Sequence, residues 1–322
     1  MRFLARRILH SIFLLLGISL LSFTFLQLAP GNFFDDMRLN PQISSDTLAR
    51  LQKQYGLSRP FAGRYLSWVE SGAKGDWGIS FAYNVPVAPL IWSRARNTVL
   101  LSASAMLLSW MIALPIGILS AGTRYRWFDH AISATTSFLL VIPDLLLALG
   151  FLWLALRTHW FPAGGMESVK LSSADAGSFK DIALHLIAPL SVLVIGSLPV
   201  LFLHIRAAII EAQQEPYIRS AQSHGISSMR ILFRHALPSA AAPLTSLFGF
   251  SLASLLSASL LVEVVMNWPG LGPLLLEAIL ARDVYVVIGS VMFSALFLIG
   301  GMLVADFLLF AIDPRIRTQG LA

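Results

Sequence analysis

The sequence predicts an all-α integral membrane protein with about six transmembrane helices. Of the 322 residues, 56% are hydrophobic and only 12% are charged, whereas roughly 25% are charged in an ordinary soluble domain. The apolar residues form separate blocks, each near the ~20 residues that cross a bilayer core of ~30 Å. Because lipid offers the backbone no hydrogen-bond partner, each block is expected to be a helix. The blocks span residues 8–29, 98–122, 131–156, 186–205, 236–262 and 284–305, the last running on towards 312.

Basic residues predict the orientation of these helices. With the N-terminus inside, the cytoplasmic segments carry eleven Lys and Arg residues and the short outer loops carry four. Positive charge is retained in the cytoplasm, so both termini are predicted to lie there. The net charge of +6 is spread along a largely membrane-embedded chain, which argues against a nucleic-acid partner. The first block is about as long as a membrane span and lacks a clean cleavage site, so we interpret it as a retained helix.

The predicted organisation has three parts. Residues 1–97 form the first transmembrane helix and an ordered extracytoplasmic cap. Residues 98–314 form a core of five transmembrane helices with a cytoplasmic loop at 206–238, and residues 315–322 form a cytoplasmic tail. The outer loop between His159 and His185 contains Gly and Ser pairs and is expected to be less ordered.

The cytoplasmic loop between the fourth and fifth helices is too long to be a simple connection. Its spacing predicts a helix-turn-helix outside the bilayer, with Pro216 in the first turn and a sharp turn at Gly225. The first helix is expected over Tyr217–His224, and the second to be capped by Ser227 and to end near Pro238. From spacing alone, the pair is equally compatible with an interfacial element that rests on lipid headgroups.

Two further features stand out in the membrane segments. Trp268, Pro269 and Gly270 are predicted to break the fifth helix at the outer interface, with a short helix over Leu274–Leu280 behind them. An ordinary aromatic-belt turn is the alternative for this segment.

Asp144, beside Pro143, is the one charged residue inside the six blocks. An intramembrane carboxylate is costly and normally faces protein or water. Asp144 either lines a translocation path and contacts a cationic or amine-bearing solute, or is satisfied by backbone donors freed at the Pro143 kink or by a position near the interface. His204 and Arg206 are interpreted as interfacial anchors.

Three ordered motifs resemble the peptide and nickel class of binding-protein-dependent ABC importer permeases. The segment from Tyr217 to Ala221, followed by Gly225 and by Arg234 to Leu237, resembles the EAA loop of that family. The segment from Val262 to Gly272 is similar to the family's segment before the last helix. The N-terminal run that includes Gly75 to Ser80 is similar to the first permease of dipeptide, oligopeptide and nickel systems.

The resemblance implies a type I importer bundle and a role for each motif. The loop is implied to dock into an ATPase, and the segment around the helix break is implied to be a gate. The coupling residues implied are Tyr217, Arg219, Ala221, Gly225, Arg230, His235 and Pro238, and the gate or pore candidates are Asp144, Glu263, Trp268, Pro269 and Gly270.

The sequence contains no motif for covalent chemistry. It has no GxxxxGK[ST] phosphate loop, no HExxH and no G-x-S-x-G elbow. We therefore predict a non-enzymatic transport subunit with no catalytic residue, metal site or cofactor of its own. The resemblance implies that two ATP-binding subunits, which hold ATP and Mg, a second permease and an extracytoplasmic solute-binding protein complete the system.

Peptides are the default solute, and relatives of this class also carry nickel complexes and amine-containing solutes. A secondary transporter is the alternative class, although the inverted repeats typical of such transporters are not apparent in the sequence.

Overall fold

The computed structural model describes residues 2–28, 60–122, 126–168 and 177–312. Helices joined by turns and loops make up these residues, with one isolated bridge between Ile79 and Pro86. Residues 30–59 of the predicted cap and the predicted tail, 315–322, lie outside the described residues. The helices are α1 (Arg2–Leu28), α2 (Phe61–Ala73), α3 (Val87–Gly122), α4 (Arg126–Leu140), α5 (Asp144–Thr158), α6 (Phe179–Gln213), α7 (Pro216–Ser223), α8 (Ser228–Ile231), a π-helical turn (Leu232–Ala236), α9 (Leu237–Ser239), α10 (Ala241–Val265), α11 (Leu271–Leu280) and α12 (Val284–Ile312).

Five of these helices are long and apolar enough to cross a bilayer, namely α1, α3, α6, α10 and α12. The predicted all-α class and the predicted spans are therefore confirmed for these five. The third predicted span is wrong as a single helix, because α4 and α5 are separated by a bend of 93°. Pro143 adopts an extended backbone with ψ 142°, and a proline disfavours helical geometry in the residue before it. Counted together, α4 and α5 make the sixth span.

α6 begins earlier than its apolar block predicts. Ser178 caps it by accepting a hydrogen bond from the Asp181 amide (3.2 Å), and Asp181 and His185 lie within its first two turns. The prediction that the outer loop extends to His185 is thus wrong. A polar residue in the first turn is compatible with a helix when its side chain caps or closes local hydrogen bonds.

The chain divides into two compact units. One contains the described residues of Phe3–Asn97 and Gly270–Phe297, and the other contains those of Thr98–Pro269 and Leu298–Ala322. In the first unit, Phe23 of α1 packs edge-on against Phe61 and Tyr65 of α2, and the Ser19 hydroxyl hydrogen-bonds the Tyr65 phenol (2.9 Å).

In the second unit, α6 is the central helix and packs against α4, α5 and α10. Its core contains Val192 and Leu193 of α6 together with Leu255 of α10. Ala188 of α6 belongs to the same cluster, and such a small residue allows close helix packing within a bilayer, where helices gain no hydrophobic driving force from one another.

Candidate functional site

The loop between α6 and α10 folds as the predicted helix-turn-helix. Pro216 occupies the first turn of α7, where its missing N–H costs no hydrogen bond. Gly225 follows α7 with a φ of +76°. The Gly225 amide donates to the Gln222 carbonyl (3.0 Å), and the Ile226 amide donates to the Ala221 carbonyl (3.4 Å). These two bonds form a Schellman motif, which requires the left-handed backbone that glycine adopts without strain.

The second helix of the loop is interrupted by one wide turn. Ser227 occupies the predicted cap position without a side-chain cap bond, and the π-helical turn Leu232–Ala236 leads into α9, which contains Pro238. Proline cannot donate to the carbonyl four residues before it, and a π-turn is a common local adjustment in such helices. The helix ends at Ser239, in agreement with the predicted end near Pro238.

One face of this hairpin is built into the core of the second unit. Ile218 of α7 and Leu232 of the π-turn pack in one buried cluster with Ile205 and Ile209 of α6. Ala221 packs against the same cluster. An element that only rested on headgroups would bury its apolar face in lipid, whereas here that face is buried in protein. Displacement of the hairpin therefore acts directly on α6.

The opposite face of the hairpin is exposed. Most of the coupling candidates lie there, whereas Ala221 and His235 are half-buried. The exposed candidates are Tyr217, Arg219, Gly225, Arg230 and Pro238. The structure thus places these candidates on a surface that carries aromatic and cationic side chains and has a glycine turn at its tip.

The break after α10 lies where the sequence predicts it, and its tryptophan is buried in protein. Trp268 is 0% exposed and belongs to a buried cluster with Val262 and Met266. The outer loop covers this turn, because the Gly165 amide donates to the Met266 carbonyl (3.0 Å). Trp268 therefore packs against protein and does not face the headgroups as an aromatic-belt residue would.

Three other gate candidates lie at or beside the same turn. Glu263, in the last turns of α10, is fully buried, and its carbonyl accepts a hydrogen bond from the Trp268 amide (2.9 Å). Pro269 is half-buried, and Gly270 precedes α11 at the N-cap position.

The outer loop is more ordered at its described ends than the sequence suggests. Asp181 accepts hydrogen bonds from the Ser168 amide (2.7 Å), the Ser168 hydroxyl (2.7 Å) and the Gly177 amide (3.0 Å). The carboxylate thus ties the two described ends of the loop to the start of α6. The expectation of a less ordered loop is wrong for these ends, and residues 169–176 lie outside the described residues.

Asp144 is the first residue of α5 and lines a pocket between α5, α6 and α10. A Cβ added to Gly196 of α6 would lie 2.4 Å from the Asp144 Oδ1 atom. No hydrogen bond reaches the Asp144 carboxylate from the described residues. The alternative in which backbone donors at the Pro143 kink satisfy the carboxylate is therefore not realised there.

Arg206 forms an ion pair that the sequence did not reveal. Its Nε and Nη2 atoms donate to the two carboxylate oxygens of Asp129 on α4, each at 2.6 Å, and the Ser120 hydroxyl donates to Asp129 Oδ1 (2.5 Å). The interpretation of Arg206 as an interfacial anchor is wrong, because its guanidinium pairs with protein. The signal available in the sequence was the pair of opposite charges at the ends of neighbouring spans.

Comparison with known proteins agrees with this architecture. Residues 113–318 match the family model described as binding-protein-dependent transport system inner membrane component, and residues 1–102 match the model of its N-terminal part. The chain belongs to this family. It is a multi-pass inner-membrane permease of the ABC importer type, as the three motifs predicted.

Several relatives and solved structures are similar to this permease. It is 34% identical to the oligopeptide transport system permease protein AppB of Bacillus subtilis over 98% of this chain and 99% of that protein. It is 30% identical to the dipeptide transport system permease protein DppB of Escherichia coli K12, with the same coverage. Inward-facing structures of the MetNI methionine ABC transporter share its fold, one with a TM-score of 0.54 and 17% identity over 70% of this chain and 96% of that chain.

In the first unit of the permease, two motifs that are 200 residues apart in sequence meet at a buried carboxylate. Asp283, at the start of α12, accepts hydrogen bonds from the Ser80 hydroxyl (2.6 Å) and the Ala82 amide (3.0 Å). Ser80 ends the glycine-rich N-terminal motif, and Asp283 follows α11. Sequence reasoning treated the two motifs separately.

Tyr83 adds a second connection between these segments, since its phenol donates to the Glu277 carboxylate of α11. Burial and this hydrogen bond raise the pKa of Tyr83 to about 12. The phenol therefore stays protonated and remains a donor well above neutral pH.

Replacing Asp283 with alanine is expected to loosen the segment around Ser80. The substitution leaves a hydroxyl and an amide without their acceptor in a buried site, at about 1–3 kcal/mol for each group. We expect faster cleavage of residues 79–86 in limited proteolysis of the solubilised permease. The Asp76→Ala variant, which removes an exposed carboxylate from the same motif, serves as the control. Equal cleavage rates in the two variants would show that Asp283 does not hold the segment.

Proposed function

We propose that this permease forms half of the translocation pore of an ATP-driven importer and carries peptides across the inner membrane. The observation that carries the proposal is the hairpin α7–α9. It presents Gly225 at an exposed tip while Ile218 and Leu232 join the core of α6. A force applied at the tip is transmitted to a membrane-spanning helix without an intervening flexible segment.

The proposed mechanism is alternating access. Closure of two ATP-binding subunits, which hold ATP and Mg, would push the exposed face that carries Tyr217, Arg219 and Arg230. The hairpin would then move α6 and open the bundle towards the outside. Of the remaining coupling candidates, Ala221 and Pro238 shape the two helices, and His235 lies half-buried in the π-helical turn.

The proposed gate and pore residues lie at the turn after α10 and in the pocket at Asp144. We propose that Glu263, Trp268, Pro269 and Gly270 form a gate at the outer end, because the end of α10 is held there by buried groups. Asp144 lines the path at a greater depth. The chain performs no covalent chemistry in this scheme.

The proposed partners are a second permease, the two ATP-binding subunits and an extracytoplasmic binding protein that delivers the solute. Both termini and the hairpin lie in the cytoplasm, as the distribution of Lys and Arg favours. Peptide is proposed as the solute because the relatives named above are oligopeptide and dipeptide permeases. Nickel complexes and other amine-containing solutes are the competing cargo.

Reconstitution of the permease with its partner subunits tests the function directly. Liposomes that contain the complete complex are loaded with ATP, supplied with the binding protein, and assayed for uptake of a labelled dipeptide. We expect uptake to require ATP, and the dipeptide to stimulate ATP hydrolysis. Uptake that instead follows an ion gradient without ATP would identify a secondary transporter, and uptake of nickel alone would assign the other cargo.

A further inference from the structure

The pocket at Asp144 belongs to the second unit and is lined by the middle parts of α6 and α10. Gly196, which contacts the carboxylate, is the middle residue of α6, and Ser251 and Ser254 lie on either side of the middle of α10. The pocket has a cavity volume of about 70 Å³ and is partly open to the surroundings.

The lack of a side chain at Gly196 leaves space for the Asp144 carboxylate. Any side chain at Gly196 would place a Cβ 2.4 Å from Asp144 Oδ1, well inside van der Waals contact. By contrast, a Cβ at Gly150 of α5 would meet no atom within 4 Å. Placing a carboxylate inside a bilayer costs several kcal/mol. The Asp144 carboxylate nevertheless lies in a space that Gly196 leaves open, facing the pocket.

The pocket supplies no cation to this carboxylate. None of its lining residues is Lys, Arg or His, and no described residue hydrogen-bonds Asp144. The Ser197 hydroxyl already donates to the Val194 carbonyl (3.1 Å), and the Ser251 hydroxyl donates to the Leu247 carbonyl (2.7 Å). A carboxyl group without a partner among the described residues, in walls that are otherwise apolar or hydroxylic, is best stabilised in its ionised form by a cationic guest.

We propose that this pocket is a transient subsite for a primary ammonium group on the transported solute, with Asp144 as its counter-ion. An ammonium has three donors and no acceptor, which suits a carboxylate flanked by serine hydroxyls. Phe250 supplies an aromatic wall of the kind that attracts cations. A divalent metal is a poorer guest, because it demands several oxygen ligands at short distance and only one carboxylate is present. The inference rests on the proposed transport function, since it assigns a solute class to the path.

A single-cysteine experiment tests the subsite without measuring transport. The chain has no cysteine, so the Ser254→Cys variant places one thiol on this chain at an exposed position of the pocket wall. In the reconstituted complex, its reaction rates with a cationic trimethylammonium-ethyl and an anionic sulfonatoethyl methanethiosulfonate are compared, with and without Asp144→Asn. The Ser246→Cys variant, about 12 Å along the same helix and also exposed, is the control.

The expected result is a preference for the cationic reagent at Ser254→Cys that depends on Asp144. Removing one charge from the same pocket changes the two reaction rates in opposite directions, so their ratio should fall about tenfold in Asp144→Asn. Gly196→Ala should also lower the ratio, because it displaces the carboxylate, whereas Gly150→Ala should not. Ethylammonium chloride should slow labelling only when Asp144 is intact, and sodium chloride at the same concentration should not slow it.

Three outcomes would overturn the subsite. They are a ratio unchanged by Asp144→Asn, a lack of ethylammonium protection, and a thiol that neither reagent reaches in the assembled complex, which would mean that lipid or the second permease covers the pocket. The complete complex could also fail to take up the dipeptide with ATP while the labelling ratio at Ser254→Cys still depends on Asp144. That result would count against the proposed transport function and not against the subsite.

Discussion

Replacing Gly225 with valine is expected to reduce ATP-dependent uptake at least about tenfold while the amount of inserted permease stays unchanged. Gly225 has a φ of +76°, and no atom lies within 4 Å of the position where a Cβ would be. The effect must therefore come from backbone strain, since space is available. A left-handed backbone costs an L-residue about 1–2 kcal/mol, and a β-branched residue is a genuine outlier there. A strain of this size corresponds to about a tenfold shift away from the Schellman turn.

The uptake assay includes two controls for this variant. Gly225→Asn is expected to retain most of the uptake, because asparagine tolerates the left-handed region. Gly72→Val places the same side chain at a glycine with open space around it and no positive φ, and should leave uptake unchanged. Full uptake in Gly225→Val would contradict the assignment of the hairpin as the coupling element. Equal losses in the Asn and Val variants would contradict backbone strain as the cause.

Loss of the Asp129 carboxylate is expected to destabilise the permease by about 2 kcal/mol. Asp129→Ala leaves the Arg206 guanidinium without its bidentate partner in a site where the two side chains are only 20% and 30% exposed. Breaking a fully buried pair costs about 3–5 kcal/mol, and partial exposure lowers that figure. The thermal midpoint of the detergent-solubilised permease should fall by about 4–8 °C.

A solvent-exposed ion pair offers a matched control for Asp129→Ala. Lys74 and Glu70 form an i,i+4 pair at 2.8 Å on α2, with side chains 71% and 72% exposed. Glu70→Ala should leave the thermal midpoint unchanged, because exposed pairs contribute little. The exchange of Asp129→Arg with Arg206→Asp should recover part of the loss. A midpoint in Asp129→Ala equal to that of Glu70→Ala would contradict a stabilising role for the α4–α6 pair.

Several features of the fold could be predicted from the sequence because they depend on local chemistry. Apolar length specified α1, α3, α6, α10 and α12. Pro216 and Gly225 specified the hairpin, since each residue restricts or permits a particular backbone conformation within one turn. The coupling loop was therefore predictable in outline. Its attachment to α6 was not, because Ile218 and Leu232 reveal their partners only once the helices are packed.

The features that sequence reasoning missed all involve contacts between distant segments. Trp268 was expected at the interface because tryptophan prefers that position on average, and the fold buried it under the outer loop. The Asp129–Arg206 pair joins α4 to α6, and Asp283 accepts from Ser80 about 200 residues earlier. Periodicity and composition carry no information about such pairings.

Asp144 shows most clearly what the sequence determined and what the tertiary structure decided. The sequence by itself determined that this chain is a multi-span membrane protein with a carboxylate at Asp144 in its third apolar block, because the cost of placing polar groups in lipid limits where such residues occur. Only the tertiary structure decided where that carboxylate points. Gly196, the middle residue of α6, comes close enough to seat it, and α10 closes the pocket around it. That arrangement depends on how three helices pack, which no single stretch of sequence encodes.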